Sequence, residues 1–433
     1  MLAEFAHILS LLGMKMSIKS YIYLLALSWG SLLVTAQAEE AHIVDHVDEI
    51  TVDSQLSLSE LVSRTLEKYP DYAVIAAMKQ ESEALSQRGS SWIAGAPRLS
   101  VDYKDDFIGS DMGAYELAGA VAVPIWNWGQ RDKGLRLAEQ AGLSAVNKEK
   151  AINLQVAGLV RQALWALALE KLSHEMAGKS LLLTEKLLST IQLRVELGDL
   201  PKSDFLLAES EMLQKKTELI QAEAELMHAR KRFYFLTQNT KIPAQIEEQA
   251  SELQALEQSH PALAAMNAVI AQKKAKLEWL KAQGSGQTTL AVGGNTEKPS
   301  SSERSVDSIT FSVSVPFGGK AYIAPKIAAA QRQYVQAEAE KAHLYRYLLE
   351  QVHEAEHELE VEKVQLKVAT KMKANAEDHF KMANLSFVAG EINLMDFLKI
   401  QARSQAAIKN AQESTIRLQR NIALYNQAVG VAP

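Results

Sequence analysis

The chain has 433 residues, of which 47% are hydrophobic, 23% are charged and none is cysteine. The apolar content excludes low-complexity disorder, and the lack of cysteine excludes a disulfide scaffold, a cysteine-ligated zinc site and a thiol nucleophile. The net charge of −6 argues against nucleic acid as a partner, because a nucleic-acid-binding domain carries a basic excess.

The N-terminal region has the pattern of an export signal. Lys15 and Lys19 precede an apolar run over residues 21–34, which is followed by the small-x-small sequence Ala36-Gln37-Ala38. This pattern predicts a signal peptide over residues 1–38, with an N-terminal extended segment over 39–56 after cleavage. An uncleaved membrane anchor is the alternative, although the apolar run is short for a membrane span.

The rest of the chain contains an internal duplication. The segment that begins GDLPKSDFL at Gly198 matches the segment that begins GEINLMDFL at Gly390, an offset of 390 − 198 = 192 residues. The pairs Tyr-Pro and His-Pro, and two Val-Pro pairs, recur at nearly the same offset. We therefore interpret the mature chain as two structural repeats, 57–238 and 252–433, joined by a linker over 239–251.

Each repeat is predicted to contain a helix, two strands, a very long helix and a helix that returns along it. The first helices are predicted at 58–87 and 261–283. The strands are predicted at about 97–124 and about 287–316, and the helical hairpins at about 128–238 and about 321–430.

The long helices are predicted from the absence of helix-breaking residues. Neither proline nor glycine occurs between Lys326 and Ala389. A helix of about 60 residues is roughly 90 to 100 Å long, which exceeds any globular core and calls for a coiled-coil or barrel partner. The return helix supplies a heptad seam, which predicts a left-handed supercoil; its residues are Phe205, Met212, Leu219, Leu226 and Phe233.

The strands alternate between an apolar face and a small or polar face. Leu99, Val101 and Tyr103 share one face, as do Phe311 and Val313. Strands of this kind, about 8 to 10 residues long, are typical of a membrane β-barrel, and a half-buried sheet packed on a helix is the alternative. The segments 106–114 and 294–307 are predicted to be polar loops.

Two tryptophans follow the second strand of the first repeat. Trp126 and Trp128 could lie at the lipid interface, or they could pack at the junction between strand and helix.

Four strands are too few to close a barrel, which needs about eight or more. The chain is therefore predicted to oligomerise. Two copies would give 8 strands and a barrel filled by side chains, whereas three copies would give 12 strands that could leave a lumen.

The duplicated order of elements resembles the TolC-type outer-membrane efflux channels over residues 57–430. The resemblance is carried by the two Gly-x5-Asp-Phe-Leu turns, the Tyr-Pro and His-Pro helix starts, the Val-Pro strand ends and Gly430 near the C-terminus. Residue 238, which matches Gly430 in the first repeat, is Gln. Val315 to Lys320 looks most like the heavy-metal, cobalt-zinc-cadmium branch of the family.

The resemblance implies a mainly α protein with a small membrane β-barrel, assembled as a homotrimer with a 12-stranded barrel and an α-helical tunnel. It implies a location in outer-membrane lipid with a long periplasmic extension. The partners implied are a periplasmic adaptor and an inner-membrane transporter, with no cofactor and no catalysis. The function implied is the exit duct of a tripartite efflux system.

The two glycine turns would form the periplasmic tip of the tunnel, because a tight reversal between helices commonly needs a positive φ. Rings of acids there would favour cations. The tip residues expected are Gly198, Asp199, Asp204, Gly390, Glu391 and Asp396. The alternative for Asp204 and Asp396 is a helix-capping or first-turn acid.

Two histidine patterns allow other interpretations. His353-Glu-Ala-Glu-His357 fits the H-E-x-x-H zinc-peptidase pattern, but an unbroken helix leaves Glu377 too far away to be a third ligand. A solvated helix face with adventitious metal binding is the simpler interpretation. His42 and His46, in an acidic context, could bind a metal ion weakly, or they could belong to a flexible leader.

Two rival functions remain open from the sequence. A periplasmic adaptor also carries a helical hairpin, but it needs a β-rich domain around a single hairpin and does not explain the duplication. A coiled-coil scaffold of an export complex does not need four alternating strands or an export signal.

Overall fold

The structure is a computed structural model that describes residues 49–253 and 255–433. The predicted signal peptide, most of the extended segment, His42 and His46 lie outside the described residues. The helices are α1 Leu58–Lys68, α2 Asp71–Ser90, α3 Gln130–Glu196, α4 Lys202–Thr237, α5 Pro261–Gln283, α6 Lys320–Val388 and α7 Leu394–Ala428. The strands are β1 Thr51–Asp53, β2 Arg98–Asp105, β3 Tyr115–Ile125, β4 Lys241–Pro243, β5 Thr288–Lys298 and β6 Val306–Ser314.

The helix predicted over 58–87 is two helices. Tyr69 has an extended backbone, with φ −74° and ψ 133°, and Pro70 follows it. A proline ring disfavours the α-conformation in the residue before it, so α1 ends there and α2 starts afresh. The equivalent His260-Pro261 pair instead opens a single helix, α5, with the proline at its first turn.

The long helices are α3, with 67 residues, and α6, with 69 residues. At 1.5 Å per residue each is roughly 100 Å long, as the missing breakers predicted. Among the described helices α3 alone is long and apolar enough to pass as a membrane span, but 56% of its apolar window is buried inside the chain. Its composition therefore agrees with its place as the central helix, in contact with α2, α4, α5 and α7.

The helices form a layer with two ends. In the half nearer the helix turns, which we call the tip half, contacts give the order α4–α3–α7–α6. In the half nearer the strands the order is α2–α3–α5–α6. The layer is thus bounded by α6 on one side and by α2 and α4 on the other.

The return helices end differently in sequence but alike in backbone. The last residue of α4 is followed by Gln238, whose φ is +47°, and the turn after α7 contains Gly430, whose φ is +90°. Gln238 therefore adopts the left-handed conformation that glycine adopts in the second repeat. The predicted seam on α4 packs against α3, with Leu226 and Phe233 buried.

Strands β2, β3, β5 and β6 form one antiparallel sheet in the order β2-β3-β5-β6. The prediction that 294–307 is entirely loop is wrong, because β5 continues to Lys298, which pairs with Tyr115 at the start of β3, and β6 begins at Val306. Gly293 permits this pairing, since a Cβ built there would lie 2.6 Å from the Gly119 carbonyl oxygen.

The predicted linker contains structure of its own. Strand β4 pairs in parallel with β1, with Thr51 opposite Lys241, and we call this two-stranded sheet the belt. Leu61, Val156 and Phe233 are buried beneath this belt in the main apolar core. The belt therefore lies at the level where α4 ends, between the tip half and the strands.

Candidate functional site

The four-stranded sheet presents one apolar face and one face of small or polar residues. Leu99, Val121, Val292 and Phe311 face one another in a row across all four strands. The neighbouring row on the opposite face is Ser100, Ala120, Gly293 and Thr310. This is the arrangement that a barrel with lipid outside and water inside requires.

No described helix covers either face of this sheet at its edges. All eight residues of β2 and all nine residues of β6 are exposed. The side chains of Leu99 and Phe311 are 75% and 77% exposed although both are large and apolar. The half-buried sheet packed on a helix, which the sequence left open, is therefore not the arrangement observed.

Three side-chain amides join the sheet to the helices. Gln130 is buried and exchanges hydrogen bonds with Gln287, with distances of 3.0 and 3.1 Å between the amide atoms. Asn127 donates from Nδ2 to the Gly286 carbonyl at 2.7 Å. The Gln287 amide also donates to the Ile125 carbonyl. These bonds tie the β3–α3 connection to the α5–β5 connection, so sheet and helices meet at a fixed joint.

The two tryptophans near this joint differ in environment. Trp126 is half-buried and donates from Nε1 to the Ser91 carbonyl at 2.9 Å, as the junction interpretation predicted. Trp128 is fully exposed. Its placement at a lipid interface stays a prediction.

The two turns at the tips have the same backbone geometry. Gly198 has φ +81° and Gly390 has φ +77°, as the sequence predicted for tight reversals. The amide of Asp199 donates to the Arg194 carbonyl at 2.8 Å, and the amide of Glu391 donates to the Ser386 carbonyl at 2.8 Å. Each hydrogen bond thus joins a residue to the one five positions before it, and the two pairs lie 192 positions apart in the sequence.

The acids beside the two glycines have different partners. The Asp199 carboxylate forms an ion pair with Arg194, with 2.7 Å between Oδ2 and Nε. The Glu391 carboxylate accepts a hydrogen bond from the Ser386 hydroxyl at 2.9 Å. An arginine offsets the charge of the first acid within its own chain, whereas a neutral hydroxyl leaves the charge of the second in place.

Arg194 also connects the two hairpins. Its guanidinium lies over the ring of Phe387, with 5.7 Å between Cζ and the ring centroid. Phe387 in turn stacks on Phe397 at 4.6 Å between centroids. The tips are packed together by an apolar cluster whose buried members are Ile191, Ala208, Ala383, Phe387, Leu394 and Phe397.

The remaining two acids stand in the first turns of the return helices. Asp204 is in the first turn of α4, and its amide donates to the Pro201 carbonyl at 3.0 Å. Asp396 is in the first turn of α7, where Asn393 caps the helix by accepting from the Asp396 amide at 2.8 Å. This placement agrees with the first-turn alternative, in which the carboxylates complement the helix dipole.

A buried polar cluster, which the sequence did not reveal, joins the two repeats near the belt. Arg161 is fully buried and donates to both carboxylate oxygens of Glu248 at 2.8 and 2.6 Å. Its third nitrogen donates to Gln427 Oε1 at 2.7 Å. Asn426 donates to Glu248 and to the backbone of Gln249. An arginine inside the mostly apolar stretch AGLVRQAL was the only signal for this cluster in the sequence.

His353 and His357 lie on an exposed face of α6 with their rings stacked, 6.4 Å apart between centroids. Glu377 is on the same unbroken helix, as the sequence predicted. Within the part of one chain that the structure describes, no three His, Asp or Glu side chains come together to hold a metal ion.

Comparison with solved structures finds channels of this architecture. The chain superposes on CusC with a TM-score of 0.69 at 14% identity, covering 88% of this chain and 93% of that one. For the outer-membrane protein VceC from Vibrio cholerae the TM-score is 0.68 at 14% identity, covering 87% and 97%. For the CmeC outer-membrane channel of Campylobacter jejuni it is 0.66 at 12% identity, covering 86% and 85%.

The chain has the fold of the outer-membrane efflux channels. The sequence itself matches no protein-family model and no curated protein. These structures with the same fold are described as outer-membrane channels. The sheet lies at one end of the long helices, and the helix turns at Gly198 and Gly390 lie at the opposite end.

Proposed function

We propose that this protein is the outer-membrane exit channel of a tripartite efflux system. The observation that carries the proposal is the sheet. Its apolar row and its small polar row lie on opposite faces, and the outer edges of β2 and β6 have no partner strand among the described residues. A sheet of this kind suits a lipid-facing barrel wall with a water-filled interior. The long helices would then extend through the periplasm as the tunnel.

Closure of the barrel needs other copies of the chain. Strand β6 of one copy would pair with β2 of the next, and three copies would supply 12 strands with a lumen lined by Ser, Thr, Ala and Gly. A homotrimer is therefore the assembly proposed. The two structural repeats, 57–238 and 252–433, would give it six similar hairpins.

The helical layer supplies a guide to the contact between copies. Within one chain α3 and α7 touch, and the Ser180 hydroxyl donates to Gln405 at 2.8 Å. The residues 192 positions away are Met372 on α6 and Leu213 on α4. These two side chains are 52% and 54% exposed in the single chain. We propose that α6 of one copy packs on α4 of the next as α3 packs on α7.

The exposed apolar residues on the two boundary helices fit this seam. On α4 they include Leu206, Leu213 and Ile220, which are spaced seven residues apart. Those on α6 in the tip half include Val361, Val364, Val368, Met372 and Met382. Burial of such stripes between copies would convert exposed apolar surface into the wall of a tunnel.

The tips are the proposed aperture and docking end. A periplasmic adaptor would engage the hairpins, and an inner-membrane transporter would deliver substrate through it. Metal cations and drugs are the substrate classes proposed, since acids at the tip favour cations. The packing of Arg194 against Phe387 would hold the two hairpins of one copy together while the aperture is closed. The protein itself would act as a duct without catalysis.

Cross-linking tests the assembly, because the chain has no cysteine of its own. Leu213→Cys combined with Met372→Cys in one chain should give a covalent trimer under mild oxidation, provided the two helices pair as proposed. Leu213→Cys combined with Leu349→Cys is the matched control, because Leu349 is also exposed on α6 but lies about 35 Å further along it.

Conductance tests the duct. The purified trimer in a planar bilayer should pass ions, and separated membranes should contain it in the outer-membrane fraction. A soluble monomer that gives no cross-linked product would overturn the proposal and favour a scaffold protein.

A further inference from the structure

The proposed contact between α6 of one copy and α4 of the next would also bring histidines of the two copies close together. This inference rests on the proposed assembly. Within one chain, Arg161 on α3 bonds to Gln427 on α7, so this level of α3 faces α7. The residue 192 positions after Arg161 is His353, which places His353 on the face of α6 that would meet α4 of a neighbouring copy.

His357 shares that face one helical turn further on. Residues four apart on a helix are neighbours on its surface, and the parallel rings of His353 and His357 already point the same way. The equivalent of His357 on α3 is Trp165, which is buried in the single chain. His357 is exposed in the single chain, and in the proposed assembly the helix that covers it would belong to another copy.

The residue on α4 that falls opposite is His228. Ser173 and Ser180 of α3 contact Lys409 and Gln405 of α7, so the two helices run antiparallel and the pairing can be extended along them. Extending it to the level of Trp165 on α3 reaches Arg420 on α7. The residue 192 positions before Arg420 is His228, which is exposed on the boundary of the layer.

We propose that His353 and His357 of one copy and His228 of the neighbouring copy form a binding site for a divalent transition-metal ion. Three imidazoles suit Zn²⁺, Cu²⁺ or Ni²⁺, and an open fourth position would hold water. Glutamates crowd this stretch of α6 and would favour a cation; they are Glu350, Glu354, Glu356, Glu358 and Glu360. One trimer would hold three such sites, each complete only between two copies.

The site explains a contrast along the boundary of α6. The tip-half stripe is apolar from Val361 to Met382, and then histidines and carboxylates replace it nearer the belt. Apolar side chains stabilise a buried helix contact, whereas charged and imidazole groups lose hydration there. Such groups therefore need a partner whose interaction offsets the cost of dehydration. A shared metal ion would supply it and would fix the register of the two helices.

The test uses the full chain purified as the trimer, with Cu²⁺ alone and Zn²⁺ alone as probes. Calorimetry should find about one Cu²⁺ bound per chain, and the electron paramagnetic resonance spectrum should show coordination by nitrogen. His228→Ala, His353→Ala and His357→Ala should each weaken binding at least tenfold. His343→Ala and His379→Ala, which remove other exposed histidines of α6, are the controls and should leave it unchanged.

A second readout is independent of affinity. Zn²⁺ should raise the temperature at which the trimer dissociates in wild type and in His379→Ala, but not in His228→Ala. Binding that survives His228→Ala in an intact trimer would overturn the shared site while leaving the channel in place. Failure of Leu213→Cys/Met372→Cys to cross-link would instead count against the assembly itself.

Discussion

Arg161 on α3 and Glu248 in the segment between the repeats form a two-point ion pair, with nitrogen–oxygen distances of 2.8 and 2.6 Å. The arginine side chain is fully buried and that of the glutamate is 12% exposed. Gln427 binds the remaining side of the guanidinium. One residue from the first hairpin, one from the connection and one from the last helix thus meet at a single buried charge.

Removal of one partner of this pair should be costly. Glu248→Gln leaves the guanidinium buried without a counter-charge, and we expect a loss of about 3 kcal/mol or more in the free energy of unfolding. The surface pair of Lys281 and Glu278, 2.9 Å apart, is the matched control. Glu278→Gln should change stability by less than about 1 kcal/mol. Equal effects of the two substitutions in thermal unfolding would contradict the assignment.

Two glycines of α3 should respond to alanine in opposite directions. A Cβ at Gly158 would lie 2.8 Å from Cδ of Gln427, so Gly158→Ala should loosen the contact between α3 and α7. The nearest atom to a Cβ at Gly178 is 4.0 Å away, on Leu219. Gly178→Ala should therefore stabilise the helix, by about 0.5 to 1 kcal/mol. Denaturant titration of both variants gives the two signs.

Stability should fall in mildly acidic solution because of His260. The Nδ1 atom of His260 accepts the Ala262 amide at 3.2 Å and caps α5. Burial lowers the pKa of His260 from its usual 6.5, with an opposing effect of the Ala428 backbone. The unfolded chain therefore takes up the proton first, so this contribution is complete above about pH 6.5 and is lost progressively below it.

The control for this effect is His260→Asn. Asparagine can cap the helix in the same way but does not titrate in this range. The melting temperature of wild type should drop more steeply between pH 7 and pH 5 than that of the variant. Parallel curves would show that the acid sensitivity arises elsewhere.

The two tip acids should differ in their effect on ion selectivity. Glu391→Gln removes a charge whose hydrogen-bond partner among the described residues is the neutral Ser386 hydroxyl, whereas Asp199→Asn removes one that Arg194 already offsets. We expect cation preference in planar bilayers to fall more for Glu391→Gln. A larger effect of Asp199→Asn would mean that its pair with Arg194 opens in the working channel.

The elements that recur along the chain were predictable, and the contacts between distant segments were not. The alternation of Leu99, Val101 and Tyr103 predicted the strand β2, because the alternation within one strand is a local pattern. The length of β5 was missed because pairing with β3, rather than the sequence Gly293-Gly294, decides where it ends.

The tips were placed by sequence, and their partners were not. Gly198 and Gly390 mark the turns because a tight turn needs a residue with positive φ, and this requirement is visible in the local sequence. Whether an acid beside them is paired depends on the residue five positions earlier, which is Arg194 in one hairpin and Ser386 in the other. The ion pair of Arg161 joins residues 87 positions apart and has no periodic signature.

The outer edges of strands β2 and β6 have no partner strand among the described residues, and this has a consequence for how the protein is made. In the proposed assembly, each copy would cross the periplasm with two open strand edges and an exposed apolar sheet face until it meets its neighbours. The rate of assembly should accordingly rise with the concentration of the protein. The monomer before assembly would be the species that most needs a chaperone. In the proposed trimer, pairing with the neighbouring copies would be the final step of folding.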